Sequence, residues 1–391
     1  MNKSIRIALC AATAIFLTTP SGASEPIGIG HDADMSSASA QAGESIRRGI
    51  VLAIDEINDA GGVLGRKFKL HVRDHRGNPA RGIDNIEELA AIKSMVAVVG
   101  GIHTPVAMAE LKIIHEKKII YLGAWAAGTP VVDNGFNPNY VFRVSVRDQF
   151  AGGFLIEAGQ KRGFRRFGLI LERTGWGRSN EKSMVAAVQK RGLKITGTEW
   201  FNWGVRDMSG TVDRLVASGA EVLLLVANPR EGAIVVKSVA DRAADKRLPI
   251  ISHWGITGAD FPALVGPGLF DTDLRFLQTF SFLTPAFPER AKKVFAAYSK
   301  KFTEVKSLDS VPSPVGTAHA YDLIQLLAQA IRKAGTTERA AVRTAMETLG
   351  RYQGLVRDYN PPFTAARHDA LDATDFRIAR YDKTGKIVPV D

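Results

Sequence analysis

Cysteine is nearly absent from this 391-residue chain: the only one is Cys10, inside an apolar stretch near the N-terminus. Beyond that stretch, a disulfide-stabilised scaffold and thiol chemistry are therefore excluded, and stability must come from a hydrophobic core. Long apolar runs are also missing later in the sequence, so no membrane-spanning segment is expected there. Low-complexity tracts are lacking too, and a hydrophobic fraction of 45% predicts a folded chain with a large core.

The first 23 residues have the pattern of a secretory signal peptide. Lys3 and Arg6 precede a short apolar segment at 8–17, and small residues lead up to a cleavage site that we place after Ala23. The pattern predicts an exported, periplasmic protein. A signal anchor is the alternative.

Motifs of several common activities are absent. The formal charge is +11, or +9 without Lys3 and Arg6, but the basic residues are scattered among acids and predict no nucleic-acid partner. No nucleophile elbow, P-loop or H-E-x-x-H motif occurs, so we expect no catalytic residues and no cofactor.

Six polar residues are candidates for a metal or catalytic site. His71 and His75 lie on a strand and its exit, where a spacing of four does not bring them together, and surface positions are expected. Asp32 and Asp34 are expected in a solvated loop. A further pair, His103 and His253, could meet across a cleft, but additional metal ligands are not obvious, so no metal site is predicted.

Hydrophobic periodicity predicts alternating strands and helices. The series β-α-β-α-β-α-β spans 26–123, and the same rhythm starts again at 149 and continues to 254. Such a series implies parallel sheets with helices on both faces. Three helices at 288–303, 315–334 and 337–349 follow, then a strand at 351–359 and a terminal hairpin at 376–390.

The stretch VAVVGGIHTPVAMAEL (96–111) breaks a buried strand on two glycines and then enters a helix. A strand that ends in this way presents free backbone N–H groups at the start of the helix, and these groups favour an anion. A phosphate, a catalytic intermediate and a ligand carboxylate all remain open at this point.

Residues 48–90, RGIVLAIDEINDAGGVLGRKFKLHVRDHRGNPARGIDNIEELA, resemble the opening of the type I periplasmic solute-binding proteins. They most resemble the Leu/Ile/Val-binding-like branch that feeds ABC importers. The resemblance implies an α/β fold of two doubly wound lobes, joined by three crossover strands near 144–146, 277–279 and 355–357, with a ligand in the cleft. It places lobe 1 at 24–144 plus 278–355 and lobe 2 at 145–277 plus 356–391.

The same resemblance implies a set of ligand-binding residues. Thr104, next to His103, takes the position whose hydroxyl holds a ligand carboxylate. Ala126 and Ala127 take the next strand end, where a backbone contact is expected and a hydroxyl is lost or shifted. The second lobe contributes an aromatic side chain, Trp176, which we expect in a polar loop. It also contributes Asn228, at a position where a tyrosine is common, and His253 and Trp254, at a strand end where an acid is common.

The segment ISHWG (251–255) departs most from the family pattern. Amino-acid binders of this branch commonly place an acid there to pair with the ligand ammonium, and burying an unpaired ammonium is costly. We therefore expect a small carboxylate, aromatic or otherwise apolar, that need not be an amino acid. Glu172, Glu231 and Asp260 remain alternative partners for an ammonium group.

The function expected from these features is that of a monomeric solute-binding component of an ABC importer. It would close over a small-molecule ligand and dock on an inner-membrane permease. A protein that presents its ligand to a membrane sensor is the main alternative. A hydrolytic or metal enzyme is less favoured.

Overall fold

The computed structural model describes residues 25–390, so the predicted signal peptide at 1–23 lies outside the described residues. Within this range, none of the helices combines the length and apolar character needed to cross a membrane. The fold consists of two main sheets with helices packed around them.

The first sheet is fully parallel. Its strands and the helices between them are β1 (Ile27–Ala33), α1 (Ala40–Asp59), β2 (Phe68–Asp74), α2 (Pro79–Ala91), β3 (Met95–Gly100), α3 (Thr104–Glu116), β4 (Ile120–Gly123), α4 (Thr129–Val132) and β5 (Val141–Arg143). The strand order is β2-β1-β3-β4-β5. The inner strands β3 and β4 are fully buried apolar runs, as expected where helices cover both faces, whereas the edge strand β2 is only partly buried.

The chain then builds the second sheet with the same alternation. The alternation of helices and strands predicted for 149–254 is present, and a further helix and strand follow it. The elements are α5 (Asp148–Lys161), β6 (Arg166–Glu172), α6 (Gly175–Lys190), β7 (Lys194–Phe201), α7 (Ser209–Ala217), β8 (Val222–Val226), α8 (Pro229–Ala240), β9 (Ile250–Ser252), α9 (Phe261–Val265) and β10 (Leu274–Gln278).

The next elements return to the first sheet. They are α10 (Pro288–Lys301), α11 (Pro314–Ala334), α12 (Arg339–Met346), β11 (Tyr352–Gln353) and β12 (Asp358–Tyr359). The α11 helix is buried along nearly its whole length and packs on α1. The approach is so close that a Cβ at Gly49 would lie 2.2 Å from the backbone oxygen of Thr317.

The last strands, β13 (Arg377–Tyr381) and β14 (Ile387–Pro389), complete the second sheet, with the order β14-β13-β10-β9-β8-β6-β7. They form the predicted terminal hairpin, whose turn is held by Asp382 accepting from the backbone N–H groups of Thr384 and Lys386.

The predicted strand at 351–359 is instead a small hairpin of β11 and β12. Leu355 and Val356, which the resemblance placed at the third crossover, form its turn and donate their backbone N–H groups to Asp322 on α11. It is Asp369 that lies in a parallel bridge beside Arg143, at the end of β5. Local strand propensity at 351–359 was therefore overridden by packing against α11.

Candidate functional site

The N-terminus of α3 is held against the segment that follows β4. Thr104 accepts a hydrogen bond at its hydroxyl from the backbone N–H of Gly128, at 3.1 Å. A Cβ at residue 128 would lie 2.4 Å from the Thr104 methyl group, so only glycine allows this approach. His103 is the N-cap residue but makes no side-chain capping bond. Its carbonyl accepts from two N–H groups of the first turn and Pro105 has no N–H, so the backbone N–H of Thr104 is the first-turn donor without an acceptor among the described residues.

Ala126 and Ala127 are buried in this segment, and their carbonyl groups are already occupied. Ala126 accepts from Arg143, at 3.0 Å, and Ala127 accepts from the backbone N–H of Asp148, also at 3.0 Å. The backbone N–H of Ala127 finds no acceptor within residues 25–390. A backbone contact to a ligand would therefore come from this N–H group, which suits an anion.

Trp176 lies in the first turn of α6, not in a polar loop as the flanking glycines suggested. Thr174 caps this helix by accepting from the backbone N–H of Trp176 at 3.2 Å. The Trp176 ring is 5% exposed and meets the His253 ring edge-on, with the two centroids 5.1 Å apart. In the sequence, the two flanking glycines indicate a flexible turn. In the structure, Gly175 and Gly177 allow close packing at the start of a helix.

Trp254 connects this pair to the first sheet. Its ring lies 5.5 Å from the ring of Trp125, which follows β4, and 5.5 Å from that of His319 on α11. The sequence analysis missed Trp125 and His319, although a tryptophan beside the predicted strand end at 123–130 was a usable signal. The buried indole N–H groups of Trp125 and Trp176 have no acceptor within the described chain. Two unpaired buried donors favour a ligand that carries acceptor oxygens.

Both ring nitrogens of His253 have partners. Its Nδ1 accepts from the backbone N–H of Trp254 at 2.9 Å, so the proton is on Nε2, which donates to Asp148 at 3.1 Å. Asp148 is fully buried, and its second carboxylate oxygen has no partner among the described residues. The sequence predicted no acid at this strand end, but the first turn of α5 supplies one from 105 residues away.

Asn228 supports a second buried acid. It donates to Glu172 at 2.9 Å, and Thr174 donates to the same carboxylate at 2.8 Å. Burial raises the pKa of Glu172 to about 7, partly offset by these donors. The other two alternative acids have structural roles: Glu231 accepts from the backbone N–H of Gly204, and Asp260 caps α9.

His103 and His253 do not meet. His103 packs between His75, at 5.7 Å, and Trp203, at 5.4 Å, as measured between ring centroids. The expectation of a surface position was wrong for His75, which is 1% exposed, and burial lowers its pKa to about 3.

Asp32 and Asp34 are also buried and do not lie in a solvated loop. Asp34 accepts from the backbone N–H groups of Ser37 and Ser39, and Asp32 accepts from Asn85. Within residues 25–390, no three His, Cys, Asp or Glu side chains converge in a way that could hold a metal ion.

A family model described as periplasmic binding protein matches residues 26–386. The Leu/Ile/Val-binding protein homolog 1 of Brucella suis is 25% identical over 320 residues, which cover 81% of each chain. Both comparisons point to binding proteins rather than enzymes.

Solved structures share the fold at low identity. The branched-chain amino acid transporter substrate binding protein of Streptococcus pneumoniae, solved with isoleucine, has a TM-score of 0.77 and 19% identity, covering 93% of this chain and 98% of that one. A solute binding protein from R. palustris, solved with 4-hydroxybenzoate, has a TM-score of 0.78 and 17% identity, covering 94% and 96%. The two-lobed architecture expected from the sequence is confirmed by these likenesses.

Proposed function

Because the chain belongs to the periplasmic binding protein family, in its type I, Leu/Ile/Val-binding-like form, we propose that it is the extracytoplasmic solute-binding component of an ABC importer. Its general role is to bind a solute, and its family is extracytoplasmic. The ligand of the proposal is a small carboxylate with an aromatic or otherwise apolar body. It binds between the two sheets, and the lobes close over it.

The proposed ligand class rests on the N–H groups at this site that have no hydrogen-bond acceptor among the described residues. The backbone N–H groups of Thr104 and Ala127 and the indoles of Trp125 and Trp176 offer donors but no charge. Neutral donors at a helix N-terminus stabilise a carboxylate without requiring an arginine or lysine. The surrounding tryptophan rings provide apolar surface for the rest of the ligand.

Asp148 is the residue that distinguishes ligands with a hydroxyl or ammonium group from ligands without one. Its unpaired oxygen would accept a hydrogen bond from a hydroxyl or an ammonium group of the ligand. The relatives do not decide between these groups, since the shared fold holds isoleucine in one solved protein and 4-hydroxybenzoate in another. We propose that Thr104, His103, Ala126, Ala127, Trp176, Asn228, His253 and Trp254 border the ligand, together with Trp125 and Asp148.

The test is a thermal-shift screen of refolded, ligand-free mature protein. The panel contains branched-chain and polar amino acids, amides, aromatic carboxylates and short aliphatic acids. A ligand at 100 times its Kd stabilises the folded state by about 2.7 kcal/mol, which raises the melting temperature. We expect hits among carboxylates that lack an amine, and tight leucine binding with no response to simple carboxylates would overturn the proposed ligand class.

Two variants then locate the ligand. Thr104→Val keeps the side-chain shape and removes the hydroxyl, so the Kd of the hit should rise about tenfold, equivalent to one hydrogen bond to a charged group. Asp148→Asn should weaken only those ligands that carry a hydroxyl or ammonium donor. If neither variant changes the Kd measured by calorimetry, the ligand binds elsewhere.

A further inference from the structure

The strand orders of the two sheets distinguish the end of the cleft that carries the chain connections from the opposite end. The chain leaves the first sheet from β5, its edge strand, and Asp369 runs beside Arg143 at the same edge. In the second sheet, the strands that connect back, β10 and β13, lie toward the edge opposite β7. The connections therefore lie at one end, and the ends of β2 and β7 lie at the other, which we call the mouth.

A row of three rings spans the mouth. Trp203, in the loop after β7, packs on His103 at the start of α3, with 5.4 Å between centroids and 59° between planes. His103 in turn packs edge-on against His75, which follows β2. Trp203 is 40% exposed although His103 and His75 are buried, so the indole is the outermost ring of the row.

The loop that carries Trp203 is held in place from within its own lobe. Glu231, in the first turn of α8, accepts from the backbone N–H of Gly204 at 2.9 Å. Gly204 has a φ of +83°, a conformation that other residues adopt only with strain. Trp203 also lies close enough to Glu172 for its indole N–H to lower the pKa of that carboxyl group. The indole is thus positioned by the second lobe before it contacts the first.

We propose that Trp203 and His103 form a latch across the mouth that keeps the lobes closed and sets the rate at which ligand leaves. The contact lies at the end of the cleft farthest from the connections, so a small rotation about them separates these rings by a large distance. Opening must break the ring contact before the ligand can escape. The inference rests on the proposed function but does not depend on which carboxylate is bound.

The experiment measures ligand dissociation by stopped-flow displacement, with the hit from the thermal-shift screen as the probe. Trp203→Ala should increase the dissociation rate constant about three- to tenfold, the range expected for the loss of one aromatic pair, and leave the association rate within about twofold. Trp203→Phe retains a ring and should dissociate at a rate close to that of the wild type. Phe270→Ala is the matched control, because Phe270 is a similarly exposed aromatic residue, 46% exposed, in the short turn that precedes β10.

Each outcome has a distinct meaning. Equal dissociation rates for wild type, Trp203→Ala and Phe270→Ala would overturn the latch while leaving the proposed function intact. A wild-type protein that responds to no compound in the screen would overturn the proposed function instead. Ligand-free melting temperatures establish that Trp203→Ala is folded, and loss of binding in Trp203→Phe as severe as in Trp203→Ala would show that the loop, not the ring contact, is responsible.

Discussion

Two carboxyl groups in the first lobe must share a proton. Asp32, at the end of β1, and Glu110, on α3, lie in hydrogen-bonding contact, and each is 1% exposed. Their other neighbours are Asn85, which donates to Asp32, and the Tyr121 hydroxyl beside Glu110. Arg73 and Asp74 on β2 act on Asp32 only from a distance, with opposite effects on its pKa. No cation contacts the pair within the described residues, so both groups cannot be ionised without a large cost.

The predicted consequence is a loss of stability at alkaline pH. Burial raises the pKa of Asp32 to about 7 and that of Glu110 well above its usual value. The unfolded chain releases these protons near pH 4 but the folded chain retains them, so the free energy of unfolding falls as pH rises through this interval. Between pH 5 and pH 9, wild type should lose about 1–3 kcal/mol more than Glu110→Gln, which keeps a donor for Asp32.

Urea unfolding at pH 5, 7 and 9 measures this difference. Glu116→Gln is the control, because Glu116 lies on the same helix, is 54% exposed and has Lys112 as its ion-pair partner. Parallel pH profiles for wild type and Glu110→Gln would mean that the buried pair does not retain its proton.

At the scale of elements, helix starts determine where the site residues lie. Thr174 caps α6 and thereby places Trp176 in the first turn, beside His253. Asn78 caps α2 in the same way, accepting from the backbone N–H groups of Ala80 and Arg81, but α2 contributes no residue to the candidate site. The two caps are alike in chemistry and differ in what they position.

This difference yields a paired prediction. Thr174→Ala and Asn78→Ala should each lower the free energy of unfolding by about 1 kcal/mol, the usual effect of losing an N-cap side chain. Thr174→Ala alone should also weaken ligand binding, because Trp176 and Glu172 both lose a contact. Chemical denaturation gives the first quantity and calorimetric titration gives the second. Equal affinities for the two variants would remove Trp176 from the ligand site.

On the scale of the whole molecule, the two lobes are joined by polar contacts in addition to the aromatic ring contacts already described. Ser313 donates to the backbone carbonyl of Thr257 at 2.5 Å, and Ser179 accepts from the backbone N–H of Thr129 at 3.1 Å. Lys386 pairs with Asp309 at 2.5 Å, but both side chains are partly exposed, and such pairs contribute little. The described structure is therefore a closed form, and opening must break these contacts between the lobes.

We expect the ligand to shift this equilibrium in solution. Ligand-free protein should sample open forms, and saturating ligand should reduce the radius of gyration measured by small-angle X-ray scattering, because the closed form gains contacts to the ligand from both lobes. A compound that gives no thermal shift serves as the control. An unchanged radius of gyration on addition of a tight ligand would show that binding does not require closure.

The sequence by itself determined the alternation of strands and helices, the second start of the pattern near residue 149 and the resemblance to the family, because these depend on local periodicity and contiguous motifs. It placed Thr104 at the start of a helix after a buried strand, as the structure has it, but it expected a polar loop at Trp176, which lies in the first turn of α6. Tertiary structure alone decided that Asp148 lies beside His253, that Trp203 packs on His103 and that Asp32 and Asp34 are buried. These pairings join the ends of strands distant in sequence, and no local pattern encodes which strand ends come together.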